Sequence, residues 1–315
     1  MTRPKDLHEL PKFRDGLSYV YLDRCRIEQE DKSIACHDLE GVIRIPCAAL
    51  GLVMLGPGAS ITHEAVKAAV QNGSSILWVG EDGVRCYAQG LGETRSSYRL
   101  IKQAALVSDP SKRLEVVKKM YAMRFQGLGD VSDMSLDELR GMEGVRVRTA
   151  YARASKEYNV PWAGRNYSRQ SWATADPVNR ALSSANSCLY GICHAAIVTA
   201  GYSPGLGFIH SGKQLSFVYD IADLYKVETT IPAAFKAVAE GTEGLEKRVR
   251  YHLRDRFRIE KLLSRIIDDI NTLMDISEDD ASEERFDTDD AAPAPLWGET
   301  EAALEQRMSH ANNDP

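Results

Sequence analysis

The amino-acid sequence predicts an α+β chain: a small N-terminal β-sheet domain followed by a larger all-α domain. Three observations carry this. The first ninety residues hold short runs rich in β-branched and aromatic residues, punctuated by turns. From about Thr94 the apolar period becomes that of helices. Capping patterns then stand at the head of successive helical runs. The expected organisation is a β domain at 1–92, a helical domain at 93–276 and an acidic tail at 277–315. A chain of 315 residues suits two domains better than one.

The elements follow in order. "LSYVYLDRCRIE" (17–28) reads as a strand. "SIACHDLEGVIRIPCAAL" (33–50) reads as two strands around a turn at Glu40-Gly41, and "GLVMLG" (51–56) as another. "THEAVKAAVQNG" (62–73) is a helix with Thr62 as N-cap, Glu64 in the first turn and Gly73 beyond the end. "SSILWVG" and "VRCYAQG" are strands joined by "EDG", a hairpin signal. "TRSSYRLIKQAALVS" is helical. Asp109-Pro110 then supplies an N-cap and a proline at the first helical position. Ser135 and Glu138 form a capping-box pattern ahead of "LDELRGMEGVRVRTAYARASKEY". The small-residue run at 177–202 predicts a long, central helix, and helical patterns resume at 215–226, 232–240 and 243–276.

Charge is unevenly placed. The net charge is −6, yet residues 275–315 hold 13 acidic and 2 basic residues. The rest of the chain is therefore mildly basic, which is compatible with nucleic acid. The tail lacks helix or strand periodicity and is expected to be mobile. The start has no secretory signal, and charges are expected to break the apolar stretches short of the roughly 20 residues a membrane span needs, so a cytoplasmic location is expected. The six cysteines show no C-x-x-C spacing and read as free thiols.

Three constellations can carry chemistry. In "IHSGKQLSFVYDIADLYK" (209–226), a helix would place Asp220 and Asp223 at neighbouring positions, with His210 just upstream. Two close carboxylates need a cation between them. Carboxylate oxygens suit Mg²⁺ or Mn²⁺, and an imidazole nitrogen leans towards Mn²⁺. A solvated or arginine-paired face is the commoner use of such a pair. In "LRGMEGVRVRTAYA" (139–152), Glu143 lies among Arg140, Arg146 and Arg148. Gly141 and Gly144 suggest close approach of a backbone or ligand, although an ordinary Glu–Arg face is the simpler reading. Third, Arg85, Arg140, Arg165, Tyr167, Tyr190, Lys213, Lys247 and Arg250 belong to a supply of cations and aromatics suited to phosphates and unpaired bases. The "GLG" motifs at 127–129 and 205–207 lack a P-loop setting and are discounted for nucleotide binding.

The block "LRGMEGVRVRTAYA", with "SSANSCLYG", "AAIVTAGYSPGLGFIHSGKQLSFVYDIADLYK" and "LPKFRDGLSYVYLDRCRI", resembles the CRISPR-associated integrase of the spacer-acquisition module, the Cas1 family. The details look most like its type I-E branch. The likeness runs from about residue 10 to about residue 275 and excludes the tail. It implies an N-terminal β domain, a helical catalytic domain and a divalent metal, Mg²⁺ or Mn²⁺, held by Glu143, His210 and Asp223. Asp220 is implied as a further catalytic residue near the site. The implied reaction joins the 3′-hydroxyl of a captured DNA fragment to a CRISPR repeat by transesterification, in antiviral defence. With water as nucleophile the same site is a nuclease. The resemblance further implies that Tyr167, Tyr190 and Tyr219 line the site and that Lys213, Lys247 and Arg250 hold DNA. It implies a homodimer and a complex with the small ferredoxin-like adaptation protein, Cas2. One departure is Arg24, which stands where a relative has an end-stacking tyrosine, with Tyr19 and Tyr21 nearby. Two other readings stay open on the residues alone: a general branched-DNA nuclease in repair, and a non-catalytic DNA-binding scaffold.

Overall fold

The computed structural model describes residues 19–30, 33–47, 50–80, 86–90, 97–125, 131, 133–165 and 176–276. Chain contacts divide the protein into residues 1–284 and 285–315. The tail, the "EDG" turn, the domain junction near residue 92, Arg85 and Tyr167 lie outside the described residues.

The β region is two four-stranded sheets and a helix. The strands are β1 (Tyr19–Leu22), β2 (Arg26–Glu30), β3 (Ser33–His37), β4 (Val42–Pro46), β5 (Leu52–Leu55), β6 (Ser60–Ile61), β7 (Ser75–Val79) and β8 (Cys86–Gly90), with α1 (His63–Gln71) between β6 and β7. One sheet has the order β1-β5-β7-β8 and the other β4-β3-β2-β6. β5 is paired in parallel on both sides, to β1 and β7. Its sequence, LVML, is correspondingly apolar on both faces.

The single strand expected over 17–28 is two strands in different sheets. Arg24 has φ +48° and its amide donates to the Pro57 carbonyl at 3.0 Å. This left-handed turn carries the chain from the first sheet into the second. The side chain of Arg24 is exposed, and Tyr21 packs so closely on Gly56 that a Cβ there would collide with its ring. The turn at Glu40-Gly41 is present: Asp38 Oδ1 accepts both amides, and Gly41 has φ +145°.

The helical region follows: α2 (Tyr98–Ser108), α3 (Pro110–Arg124), α4 (Leu136–Tyr158), α5 (Pro177–Thr199), α6 (Ser216–Tyr225), α7 (Thr230–Ala239), α8 (Leu245–Ile259) and α9 (Leu262–Leu273). Asp109 caps α3 by accepting from the Ser111 and Lys112 amides. Ser135 and Glu138 form the reciprocal capping box of α4. The long helical pattern over 243–276 is broken at Lys261, whose φ of +47° turns α8 into α9.

α5 is the central helix and packs on α6, α7, α8 and α9. The expectation that charges interrupt every apolar stretch fails here. Its 23 residues are long and apolar enough to cross a membrane by length and composition. Other helices cover it instead, so that Leu182, Ala185, Leu189 and Cys193 are shut in the core. Small residues let those neighbours approach. Leu52, Leu77 and Val79 of the first sheet join the same apolar cluster, so the helical core continues onto that sheet. A second cluster around Ile27, Ile34 and Val53 fills the β region. All six cysteines are free thiols, five of them buried.

Arg180 ties α5 to α8 by donating from Nε and Nη2 to Glu246 Oε1, at 2.9 and 2.6 Å. Burial pushes the Glu246 carboxyl up, but the Arg180 hydrogen bond, a backbone amide and the charges of Arg180 and Arg250 together outweigh it and leave the pKa below the ordinary value. The pair's contribution is therefore full above the unfolded carboxylate pKa of about 4.3 and is lost as pH falls through the lower folded value. Glu246→Gln should lower stability at pH 7 by about 1 kcal/mol. It should also flatten the decline in stability between about pH 5 and pH 3. Urea unfolding across that range checks both.

Candidate active site

The site is built around one loop. Residues 200–215 connect α5 to α6 and end in "GLGFIHSGKQL". A loop of this length needs partners for its backbone groups. Gln103, fully buried on α2, donates to the carbonyls of Ser203 and Leu206 and accepts from the Ser203 amide. Arg113 Nε on α3 donates to the Phe208 carbonyl at 2.7 Å. Gly207 fits because a Cβ there would lie 2.4 Å from the His210 carbonyl oxygen. The second GLG motif thus serves close backbone packing.

Asp220 completes the anchorage. It is fully buried on α6. One carboxylate oxygen accepts from the amides of Phe208 at 2.6 Å and Ile209 at 3.0 Å. The other meets the His210 amide at 2.9 Å and the His210 ring Nδ1 at 2.7 Å. This separates the two aspartates. Asp220 turns into the loop and does not face a common cation with Asp223, which pairs with Lys226, and its visible contacts are those of a residue that positions His210. Its oxygens are committed to the loop, because a buried carboxylate must find donors.

His210 is thereby oriented. The hydrogen bond with Asp220 holds its pKa above the usual value against partial burial, and the charges of Asp220 and Asp223 add to this. With Nδ1 on Asp220, Nε2 is the remaining ring nitrogen. The ring meets Tyr219 edge-on, with centroids 5.9 Å apart. Tyr219 in turn meets Tyr190 at 5.1 Å, and Lys213 Nζ lies 5.9 Å from the Tyr219 centroid.

The two other candidate ligands meet at one guanidinium. Arg124, the last residue of α3, has Nη1 3.9 Å from Glu143 Oε1 and Nη2 3.8 Å from Asp223 Oδ2. Glu143 also accepts from Arg146 at 3.3 Å. Asp223 accepts from Lys226 Nζ at 2.5 Å. Burial pulls the Lys226 pKa down, but Asp223 and Tyr190 more than compensate, and it stands above its ordinary value. Among the described residues no three His, Cys, Asp or Glu side chains are gathered as a ready-made metal cage. The residues nevertheless fit a divalent cation. Two carboxylates converge on one positive charge, and an imidazole is oriented by a carboxylate behind it, the arrangement in which metal-binding histidines are held.

The remaining candidates divide. Tyr190, Tyr219 and Lys213 join this cluster. Arg140 is exposed and pairs with Asp137 at 3.4 Å. Lys247 lies over Tyr251 on α8, and Arg250 is on the same helix near Glu246. Among the described residues, a Cβ added at Gly141 would meet no atom within 4 Å and one at Gly144 only the Arg148 side chain, so no described backbone of another segment approaches either. Arg124 and Lys226 escaped sequence reasoning. For Arg124 the signal existed: Val117, Met120, Tyr121 and Arg124 share one helix face, so the arginine had to point inward with the apolar side chains.

Comparison with known proteins agrees with this architecture. The family described as "CRISPR associated protein Cas1" matches residues 18–133 and 128–248. A relative from Thermus thermophilus, "CRISPR-associated endonuclease Cas1 2", is 49% identical over 316 residues, spanning 100% of this chain and 96% of its own. A "CRISPR-associated endonuclease Cas1" from Escherichia coli is 42% identical over 262 residues, 83% of this chain and 85% of its own. A solved structure described as a TtCas1–DNA complex is 53% identical, with a TM-score of 0.76, over 85% of this chain and 100% of that one.

Asp220→Ala should leave three loop amides without their acceptor and cost about 3–5 kcal/mol. Asp220→Asn should cost less, since the amide oxygen still accepts, yet it should disturb the His210 ring. Urea unfolding measures the first effect and the ¹⁵N shifts of the His210 ring the second.

Proposed function

The chain belongs to the Cas1 family of CRISPR-associated proteins. From that membership and from the way Glu143, Asp223 and His210 are presented, we propose that it is a divalent-metal-dependent DNA integrase and endonuclease. Its reaction would join the 3′-hydroxyl ends of captured DNA fragments to a CRISPR repeat. The observation that carries this reading is the pairing of the His210 ring with buried Asp220, beside two carboxylates that share one cation. A purely structural helix pair would have no use for an oriented, part-exposed imidazole at that point.

The residues that would hold Mg²⁺ or Mn²⁺ are Glu143, Asp223 and His210 through Nε2. Such an ion supplies a lower pKa at the attacking hydroxyl and counter-charge at the phosphorus centre. The chain does the rest. Asp220 keeps the His210 proton on Nδ1 and fixes the ring plane. Lys226 and Arg146 hold the Asp223 and Glu143 carboxylates against their mutual repulsion. Lys213, exposed beside Tyr219, offers a cation to a phosphate, and the Tyr190–Tyr219 pair offers aromatic surface for an unpaired base.

In the joining step the fragment's 3′ oxygen forms a bond to phosphorus and loses its proton. The bond from phosphorus to the repeat's own 3′ oxygen breaks, and that oxygen takes up a proton. With water as attacker the same displacement is hydrolysis. The reading includes a homodimer, assembly with Cas2, and a cytoplasmic setting where the repeat DNA lies. The relatives named endonucleases and the neighbour solved with DNA support the nuclease and DNA-binding parts of this reading.

Asp223→Ala should reduce joining of a 3′-hydroxyl fragment into a repeat-bearing plasmid by about 100-fold or more, measured with Mn²⁺ present. Chelation with EDTA should abolish joining by the unaltered protein, and added Mn²⁺ should restore it. Joining by Asp223→Ala at the unaltered rate would sink the assignment.

A further inference from the structure

The Arg124 side chain is only 3% exposed and reaches three parts of the site from α3. Its Nη2 donates to the Asp220 carbonyl at 3.4 Å, and its guanidinium lies 5.1 Å from the Tyr121 ring centroid. Its distances to Glu143 and Asp223 are ion-pair distances, too long for hydrogen bonds. Its buried Nε has no hydrogen-bond partner among the described residues. A buried guanidinium that leaves a donor unmade and holds both carboxylates at arm's length is a poor device for stability alone. It is well suited to another task. Anchored on a ring and a backbone carbonyl, it can stay in place while the carboxylates turn.

We propose that Arg124 is a positioning residue that gathers Glu143 and Asp223 about one point before a divalent cation arrives. This rests on the metal-site reading above and deepens it. Among the described residues, without Arg124 the two carboxylates would be held by Arg146 and Lys226, each pulling its own partner along its own helix. No described group common to both would remain, and a cation would have to draw them together itself. Arg124 gives them a shared centre. Loss of a group that orients ligands typically costs 10–100-fold in metal affinity.

The test is calorimetric titration of Mn²⁺ into the full chain, without DNA. It compares the unaltered protein, Asp223→Ala, Arg124→Met and Arg124→Lys, each checked for thermal unfolding without metal. The expected result is Mn²⁺ binding that Asp223→Ala removes and that folded Arg124→Met weakens by about tenfold or more. Arg124→Lys, which keeps a charge but not the fork, should fall between. A merely structural role would lower the melting temperature and leave the Mn²⁺ affinity of the folded variant unchanged, which would overturn the proposal. If Arg124→Met does not fold, Arg124→Lys decides: weakened binding supports the proposal and unchanged binding overturns it. Binding lost in Asp223→Ala but intact in Arg124→Met refutes the role of Arg124 alone. Binding that survives Asp223→Ala refutes the metal-site reading, and this proposal with it.

Discussion

A carboxylate closed off from water, Asp220, sets the path of the loop that carries His210. Burying a charge without donors is prohibitive, so Asp220 can sit where it does only if the loop supplies amides to it. Phe208, Ile209 and His210 do so. The same constraint explains Gly207, whose missing side chain lets the loop fold back against its own carbonyl, and Gln103, which satisfies the loop's earlier groups from α2. The imidazole is thus placed by the backbone that leads to it as much as by its ring hydrogen bond. The central position of α5 and the helices packed on it give that loop a rigid base.

Around this fixed histidine the charges are arranged in opposition. Glu143 and Asp223 face Arg124, Arg146 and Lys226. Each carboxylate has a neighbouring cation on its own helix turn and shares a third across the site. With Lys213 the site holds four cations, Arg124, Arg146, Lys226 and Lys213, against the three carboxylates Glu143, Asp220 and Asp223, which suits a polyanion approaching from outside. Lys213 and the paired Tyr190 and Tyr219 rings extend that surface with one more cation and aromatic edges. The residues proposed as metal ligands, counter-charge and DNA surface come from α3, α4, α5, α6 and the loop that precedes α6.

The sequence shows the local elements better than how distant segments are brought together. Strands, helices and caps were legible because each depends on neighbours a few residues away: Thr62, Asp109 and Ser135 cap their helices as their patterns predict. The division of 17–28 at Arg24 and of 243–276 at Lys261 was not, since a non-glycine residue in a left-handed turn leaves no compositional mark. The membrane-like composition of α5 was misjudged, because burial by other helices and burial by lipid select the same side chains. Within the site, spacing alone could not separate the roles of Asp220 and Asp223. Three residues apart on one helix, they differ in what packs against them. Asp220 meets the loop and Asp223 meets Lys226 and Arg124, contacts made by residues up to about a hundred positions away.

The central claim is that Asp220 orients His210 so that its free nitrogen, Glu143 and Asp223 can share one cation. Diffraction from a Mn²⁺-soaked crystal, with the anomalous signal of manganese, tests it most directly. The account predicts a single anomalous peak bounded by the Glu143 and Asp223 carboxylates and His210 Nε2, with Asp220 still bound to the loop amides and His210 Nδ1. A peak coordinated by Asp220, or one that leaves out His210, would contradict it.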